Sequence, residues 1–304
     1  MAYVGATTPL VGTDTGANLT RDITLDVLQA FERKTRFIDK IRIDTIPEGS
    51  AAGSFIIEGK EDRDDGALTE YQAGSQVSVS NGTQDEIIIP LDRPQYESRR
   101  IDKWKEAVAR YDVAAMNVRQ LGTRLANAID RKIAAAVEAS SLSTGLVGNG
   151  DGTVIVNTDL ASGTTPEALG KALAESIYAA KAVMLENDVD DMTTCAISPT
   201  WYSYLPQSLV VNQDITDGVN GGYNTGEIKM IGGVSVFATN NLPQTANLVG
   251  LVFTPEAAGM AKLWDIQIDI NEQPEFLNAK LINAYFSNGV KALRPQCAVS
   301  IKSA

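Results

Sequence analysis

The chain has 304 residues, 44% of them hydrophobic, and a net charge of −12. That length and apolar fraction support one large or two ordinary domains with a sizeable core and exclude wholesale disorder, while the acidic balance argues against non-specific nucleic-acid binding by the whole chain. Histidine is absent, which removes serine–histidine and cysteine–histidine catalysis, histidine metal sites and histidine pH switches, and leaves carboxylate, lysine and thiolate chemistry.

The opening residues, MAYVGATTPLVGTDTG, carry no basic stretch and no long apolar run, so they do not read as a signal peptide. No stretch approaches the ~20 apolar residues of a membrane span, and the expectation is a soluble protein made in a cytoplasm. Residues 1–20, rich in Gly and Thr, read as an extended arm. A short helix follows in TRDITLDVLQAFERKT, with Thr20 as a possible N-cap and Ile23, Val27 and Phe31 recurring every four residues.

From 41 to 92 the text turns β-rich, with Phe55-Ile56-Ile57 and Ile87-Ile88-Ile89 as strand-like runs and Val77 and Val79 alternating with serines. Between them EGKEDRDDG is too polar for a core. This predicts a long two-stranded excursion with a charged tip, and an isolated hairpin needs something to lie on, the first hint of a partner. The strongest helical signal runs from about Asp112 to Ala139: Val118, Leu121, Leu125 and Ala128 follow a 3,4,3 spacing, with Ile129, Ile133 and Val137 alongside. At 1.5 Å per residue this helix is about 40 Å long.

Thr165-Pro166 starts a second helix with the stripe Leu169, Leu173, Ile177, Ala180 and Met184. MTTCAISPTWYSYL reads as a strand ending at Pro199 and then a short helix, residues 211–233 as a loop, and VSVFATNNLP, ANLVGLVF and WDIQIDI as strands. In the last, Ile266, Ile268 and Ile270 share one face and Asp265, Gln267 and Asp269 the other. NAKLINAYFSNGV and PQCAVSIKS close the chain. Cys195 and Cys297 sit apart in strand-like text and read as buried free thiols of a reducing compartment.

Candidate chemistry is thin. Gly148, Gly150 and Gly152 lack the strand-then-helix setting of a phosphate loop and read as a flexible loop. Asp62 and Asp64 resemble the start of a calcium loop, but Gly66 stands where a third ligand belongs, so a solvated charged tip is expected. No carboxylate pair, such as those among Asp188, Asp190 and Asp191, is placed by the sequence on an apolar wall. The stretch RPQYESRRIDKWKEAVAR is basic, through Arg93, Arg99, Arg100, Lys103, Lys105 and Arg110, with Tyr96 and Trp104 interleaved. The acidic tip, Glu58, Glu61, Asp62, Asp64 and Asp65 around Lys60, complements it, so pairing between subunits accounts for both; nucleic-acid binding and an ordinary solvated surface are the alternatives. In GVKALRPQCAV, Lys291 and Arg294 suggest either an anion site or a corner in a sheet, with Gly289 permitting the bend and Pro295 fixing the backbone.

The order of these elements, with RYDVAAMNVRQLGTRLANAIDRKIAAAV, ISPTWYSYL, GEIKMIGGVSVFATNNLP and GVKALRPQCAVSIK in sequence, resembles the major capsid proteins of tailed bacteriophages, the Hong Kong 97-type fold, and most nearly those of short-tailed podoviruses. The resemblance covers roughly residues 20–304. It implies an α+β fold with an N-terminal arm (1–45), an extended β-hairpin loop (46–98), a peripheral domain with a spine helix (99–145), an axial domain (146–249) whose residues 211–226 gather at the capsomer centre, and returning strands of the peripheral domain (250–304). It further implies hexamers and pentamers in an icosahedral shell around double-stranded DNA bound without sequence specificity, in a virion assembled in the bacterial host cytoplasm. Scaffolding and portal proteins are the implied partners, with a decoration protein as a further one, and no cofactor, metal, membrane or catalytic role is implied. In this frame the subunit-interface candidates are Glu58, Lys60, Glu61, Asp62, Asp64, Asp65, Arg93, Arg99, Arg100, Lys103, Lys105, Arg110 and Arg294, the last pairing with a carboxylate at a subunit boundary. An encapsulin-like nanocompartment shell is the first alternative and an acidic carboxylate hydrolase the second.

Overall fold

The computed structural model describes residues 27–31, 34–47, 52–58, 84–108, 113–145, 150–189, 192–208, 228–245, 247–276 and 278–304. The expected arm (1–20), the charged tip with Lys60 to Asp65, the β-run at Val77 and Val79, Arg110, Gly148, Asp190, Asp191 and the loop 211–226 lie outside them. Twelve strands are described: β1 Arg42–Thr45, β2 Ala52–Glu58, β3 Gln84–Pro90, β4 Gln95–Ile101, β5 Thr153–Asn157, β6 Thr194–Ile197, β7 Met230–Ile231, β8 Val234–Ala238, β9 Leu248–Phe253, β10 Ala258–Gln273, β11 Ala279–Ala292 and β12 Ala298–Ser303. They form a four-stranded sheet in the order β1-β10-β11-β4, a six-stranded sheet in the order β5-β12-β9-β6-β8-β7, and the separate pair β2-β3. The chain falls into two compact units, one of residues 1–35, 94–128 and 264–286, the other of 36–93, 129–263 and 287–304.

In the first unit β4 runs antiparallel to β11, Ile101 opposite Lys280 and Tyr96 opposite Tyr285. The two-residue period buries Ile101, Ile282, Ala284 and Phe286 and leaves Tyr96 exposed. The first part of the long helix Val113–Ser141 belongs here, with Val118, Leu121 and Leu125 buried as the spacing predicts. Residues 27–31 are helical, and they cross the long helix at Gly122. A Cβ on Gly122 would stand 2.7 Å from the carbonyl oxygen of Val27, so only glycine permits that approach.

In the second unit the helix Pro166–Glu186 lies against β5, β7, β9 and β12 of the six-stranded sheet. Thr165 caps it, its hydroxyl accepting from the Ala168 N–H at 3.3 Å, and of the predicted stripe Leu173, Ile177, Ala180 and Met184 are buried and Leu169 half-buried. All four residues of β6 are buried, Cys195 among them. Both cysteines are free and buried, and burial pushes the Cys195 thiol far above its ordinary range. Phe37 joins the core edge-on to Phe237 at 5.3 Å and stacked on Phe253 at 5.7 Å. The short cap Pro199–Tyr202 follows β6, as read.

Two expectations change. The return 250–304 is divided: β10 and β11 enter the four-stranded sheet, whereas β9 and β12 complete the six-stranded one. Gly289 makes no bend. It lies inside β11, where a Cβ would meet the Pro90 carbonyl oxygen at 2.2 Å. The corner comes later, at the 3-10 turn Pro295–Cys297, where proline takes the first helical position. The pair β2-β3 is also seated on its own chain at its near end, since Ile87 and Ile89 are buried with Ile46, Ala261 and Leu293.

Candidate subunit interface

The basic stretch does not form one surface. Strand alternation places Arg99 and Glu97 on one face of β4 and Arg100 and Tyr96 on the other. On the Tyr96 face the Arg100 guanidinium lies 4.3 Å from the Phe276 ring centre and its Nε stands 3.4 Å from the Asp102 carboxylate. Tyr285, across from Tyr96, meets Trp264 edge-on at 6.3 Å. Desolvation, then the charge of Asp269 and the hydrogen bond to it, hold the Tyr285 phenol above its usual range. Lys103 is exposed and begins the short helix Lys103–Val108, which includes Lys105 and shows Trp104 to solvent. Arg93 is exposed as well, in the segment between β3 and β4 that belongs to the second unit.

The Arg99 face looks into an open groove of about 960 Å³ lined by Arg99, Met116, Arg119, Gln120, Thr123 and Arg124 with Ala115. Glu97 serves two guanidinium groups with one oxygen: Nη1 of Arg124 at 2.5 Å and Nη2 of Arg99 at 3.4 Å. The Nε of Arg99 is buried without a hydrogen-bond partner among the described residues. Arg119 and Arg124 do not stand out as candidates in the sequence because they lie beyond the contiguous basic run Arg93 to Arg110. Their signal was the helical face Met116, Arg119, Gln120 and Thr123, the i, i+3, i+4, i+7 pattern written in non-core residues.

The closing turn has no free cation pair for an anion. Nη1 of Arg294 meets the Glu256 carboxylate at 2.6 Å within the same chain, and Nζ of Lys291 donates to the Ile88 carbonyl at 3.2 Å. The carboxylate partner expected at a subunit boundary is thus an intrachain one. Another carboxylate, Asp130, lies on the long helix, where no motif in the sequence singles it out. It is wholly buried and accepts from the backbone N–H of Arg36 at 3.1 Å and of Phe37 at 3.3 Å, with the Asn241 side-chain amide at 3.5 Å. Burial raises its pKa from the ordinary 3.8, and the donors offset part of that rise. Among the described residues no group of three or more His, Cys, Asp or Glu is placed to hold a metal ion, and no helix is long and apolar enough to cross a membrane.

Residues 101–249 match the family model described as Gp10A-like, major capsid protein. Among solved structures the fold is similar to the capsid of the cyanophage P-SCSP1u, with 25% identity over 89% of this chain and 88% of that one and a TM-score of 0.73. It is similar to the mature capsid of bacteriophage PhiM1 at 14% identity, over 89% of this chain and 87% of that one, with a TM-score of 0.71. A virus-like particle from Pyrococcus furiosus aligns over 93% of this chain and 98% of that one, at 13% identity and a TM-score of 0.55. No curated protein sequence matches significantly.

Proposed function

We propose that this chain, a major capsid protein with the Hong Kong 97-type fold of tailed phages, closes through hexamers and pentamers into an icosahedral shell around packaged double-stranded DNA. The observation that carries the proposal is the coincidence of the family match over 101–249 with a likeness in fold to the cyanophage capsid over most of both chains. The protein is structural, and its place is the virion. Assembly in the host cytoplasm, with scaffolding, portal and decoration proteins as partners and a short-tailed phage as the source, completes the reading.

The parts divide the labour. Of the stretch 1–45 the residues ahead of Phe37 and β1 serve as an arm, and of 46–98 the part beyond the seated end of β2-β3 is laid over a neighbour, while the spine stretch 99–145 and the axial stretch 146–249 form the body with the returning strands of 250–304. The acidic segment 58–65 of one copy pairs with basic side chains that the stretch Arg93 to Arg110 supplies on an adjacent copy. Contacts between heterologous patches that close into rings yield capsomers, and many weak contacts hold a shell that single subunits can still leave during assembly. The net charge of −12 keeps the wall from gripping the genome.

Electron microscopy of the purified protein tests this. Uniform closed particles are expected, and monodisperse monomers under all assembly conditions would refute it. The Pyrococcus likeness favours one second reading, a nanocompartment shell. Particles that carry protein cargo and no DNA when produced in the presence of the phage's packaging machinery would support that reading instead. Tight binding of duplex DNA to the inner surface of empty particles at physiological salt would contradict the account of the charge.

A further inference from the structure

Three guanidinium groups, Arg99, Arg119 and Arg124, line the groove of the first unit, and one carboxylate, Glu97, faces two of them. That is a local excess of positive charge in a chain whose total is −12. Two further features mark the groove as unfilled. The Nε of Arg99 is buried and unpartnered among the described residues, a costly state for a charged donor. Met116 is 44% exposed beside it, an apolar surface left to solvent.

We propose that this groove is the receptor for the acidic segment 58–65 of a second copy of the chain, and that Glu97 occupies the arginines in the free subunit as a competing carboxylate. The proposal rests on the shell reading, which supplies the second copy. The segment, EGKEDRDD, has five carboxylates, Glu58, Glu61, Asp62, Asp64 and Asp65, against Lys60 and Arg63. Its surplus of negative charge complements the groove. Duplex DNA fits less well, because phosphate binding gains from many cations along a path and these three surround one hollow beside a carboxylate.

The competition has a consequence for assembly. An incoming carboxylate replaces Glu97 on Arg99 or Arg124, so the gain is the difference between two ion pairs rather than a whole one. Each docking is therefore weak and reversible, and the many docking events of a closed shell add up. Glu97 and the arginines must then act with opposite sign: removing the Glu97 charge strengthens docking, and removing the arginine charges weakens it. A purely structural role for the Glu97–Arg124 pair would make both changes damaging.

The test uses the full-length subunit and a fluorescent peptide of sequence EGKEDRDD, read by anisotropy at low ionic strength, with a short DNA duplex as competitor. Glu97→Gln is expected to tighten peptide binding by about two- to fivefold, the worth of one exposed ion pair, and to lower the protein concentration at which particles form. Arg119→Glu with Arg124→Glu is expected to abolish peptide binding. Thermal melts establish that each variant is folded. Should Glu97→Gln unfold, Arg119→Glu alone, an exposed change away from Glu97, still must lose binding. Equal peptide binding by wild type and the double reversal, weaker binding by a folded Glu97→Gln, or preference for the duplex would overturn the proposal. Particles formed without peptide binding would overturn the groove alone. Peptide binding by a subunit that never forms particles would overturn the shell reading and leave the groove standing.

Discussion

The long helix Val113–Ser141 lives in two environments. In residues 113–128 the buried positions form one stripe, Val118, Leu121, Leu125 and Ala126, and the opposite face shows Met116, Arg119, Gln120 and Arg124 to solvent. In residues 129–141 burial spreads around the helix and takes in polar groups: Ile129, Asp130, Ile133, Ala134, Val137, Glu138, Ser140 and Ser141 are all buried. Three of the polar ones reach other parts of the second unit, Asp130 the backbone N–H groups of Arg36 and Phe37, Glu138 the Thr245 hydroxyl at 2.8 Å and Ser140 the Arg294 carbonyl at 3.2 Å, while Ser141 donates back to the Glu138 carbonyl of its own helix. One helix thus serves two ends. Its second part is fastened into its own fold, and its first part keeps a face that the fold engages through the Arg124–Glu97 pair, with Met116 and Arg119 left to solvent.

Substitutions should separate the two parts cleanly. The largest effect is expected at Ile133, which is fully buried. Ile133→Ala should cost about 2–5 kcal/mol of subunit stability by denaturant unfolding, and a loss below 1 kcal/mol would deny the second part its anchoring role. Next comes Gly289→Ala. The added Cβ would stand 2.2 Å from the Pro90 carbonyl oxygen, so the strands must shift at a cost of roughly 1–3 kcal/mol. An unchanged melting temperature would show that β11 yields freely there.

Asp130 provides a pH-dependent comparison. Its folded pKa is raised above the ordinary 3.8, so the folded state holds the proton more tightly than the unfolded state. The contribution of this group is then greatest below the unfolded value, declines as pH rises from there through the folded pKa, and stays at its lower level above it. Measured by urea unfolding, the stability of wild type minus that of Asp130→Asn should fall as pH rises from about 4. A difference that grows with pH would mean that the backbone donors outweigh desolvation. The smallest effect belongs to the first part of the helix. Arg119→Ala should leave subunit stability within about 0.5 kcal/mol, and a larger loss would mean that this face already serves the fold.

Much of this fold was legible beforehand because it rests on periodicity. The stripe Leu169, Leu173, Ile177, Ala180 and Met184 repeats at helical spacing, and Ile266, Ile268 and Ile270, each half-buried between exposed neighbours, alternate at strand spacing, so the period of the apolar residues selects each element. Thr165-Pro166 announced a helix start because a hydroxyl and a missing N–H both suit an N-terminus. Gly289 misled because a glycine reports a missing side chain, not the reason for it. A bend and a close carbonyl look alike in one dimension. The basic run misled in a related way, since adjacency along a strand sends Arg99 and Arg100 to opposite faces.

From the amino acids by themselves came the element types, the absence of histidine chemistry, the acidic balance and the order of parts that resembles a capsid protein, all of them properties of composition or of local repeat. Only the tertiary structure decided that β9 and β12 complete the six-stranded sheet, that Arg294 is spent on Glu256, that Asp130 is buried against the backbone of Arg36 and Phe37, and that Arg99 meets Arg119 and Arg124 around one groove. Each of these is a meeting of residues distant along the chain, and such meetings are fixed by how sheets and helices pack, which no local repeat encodes.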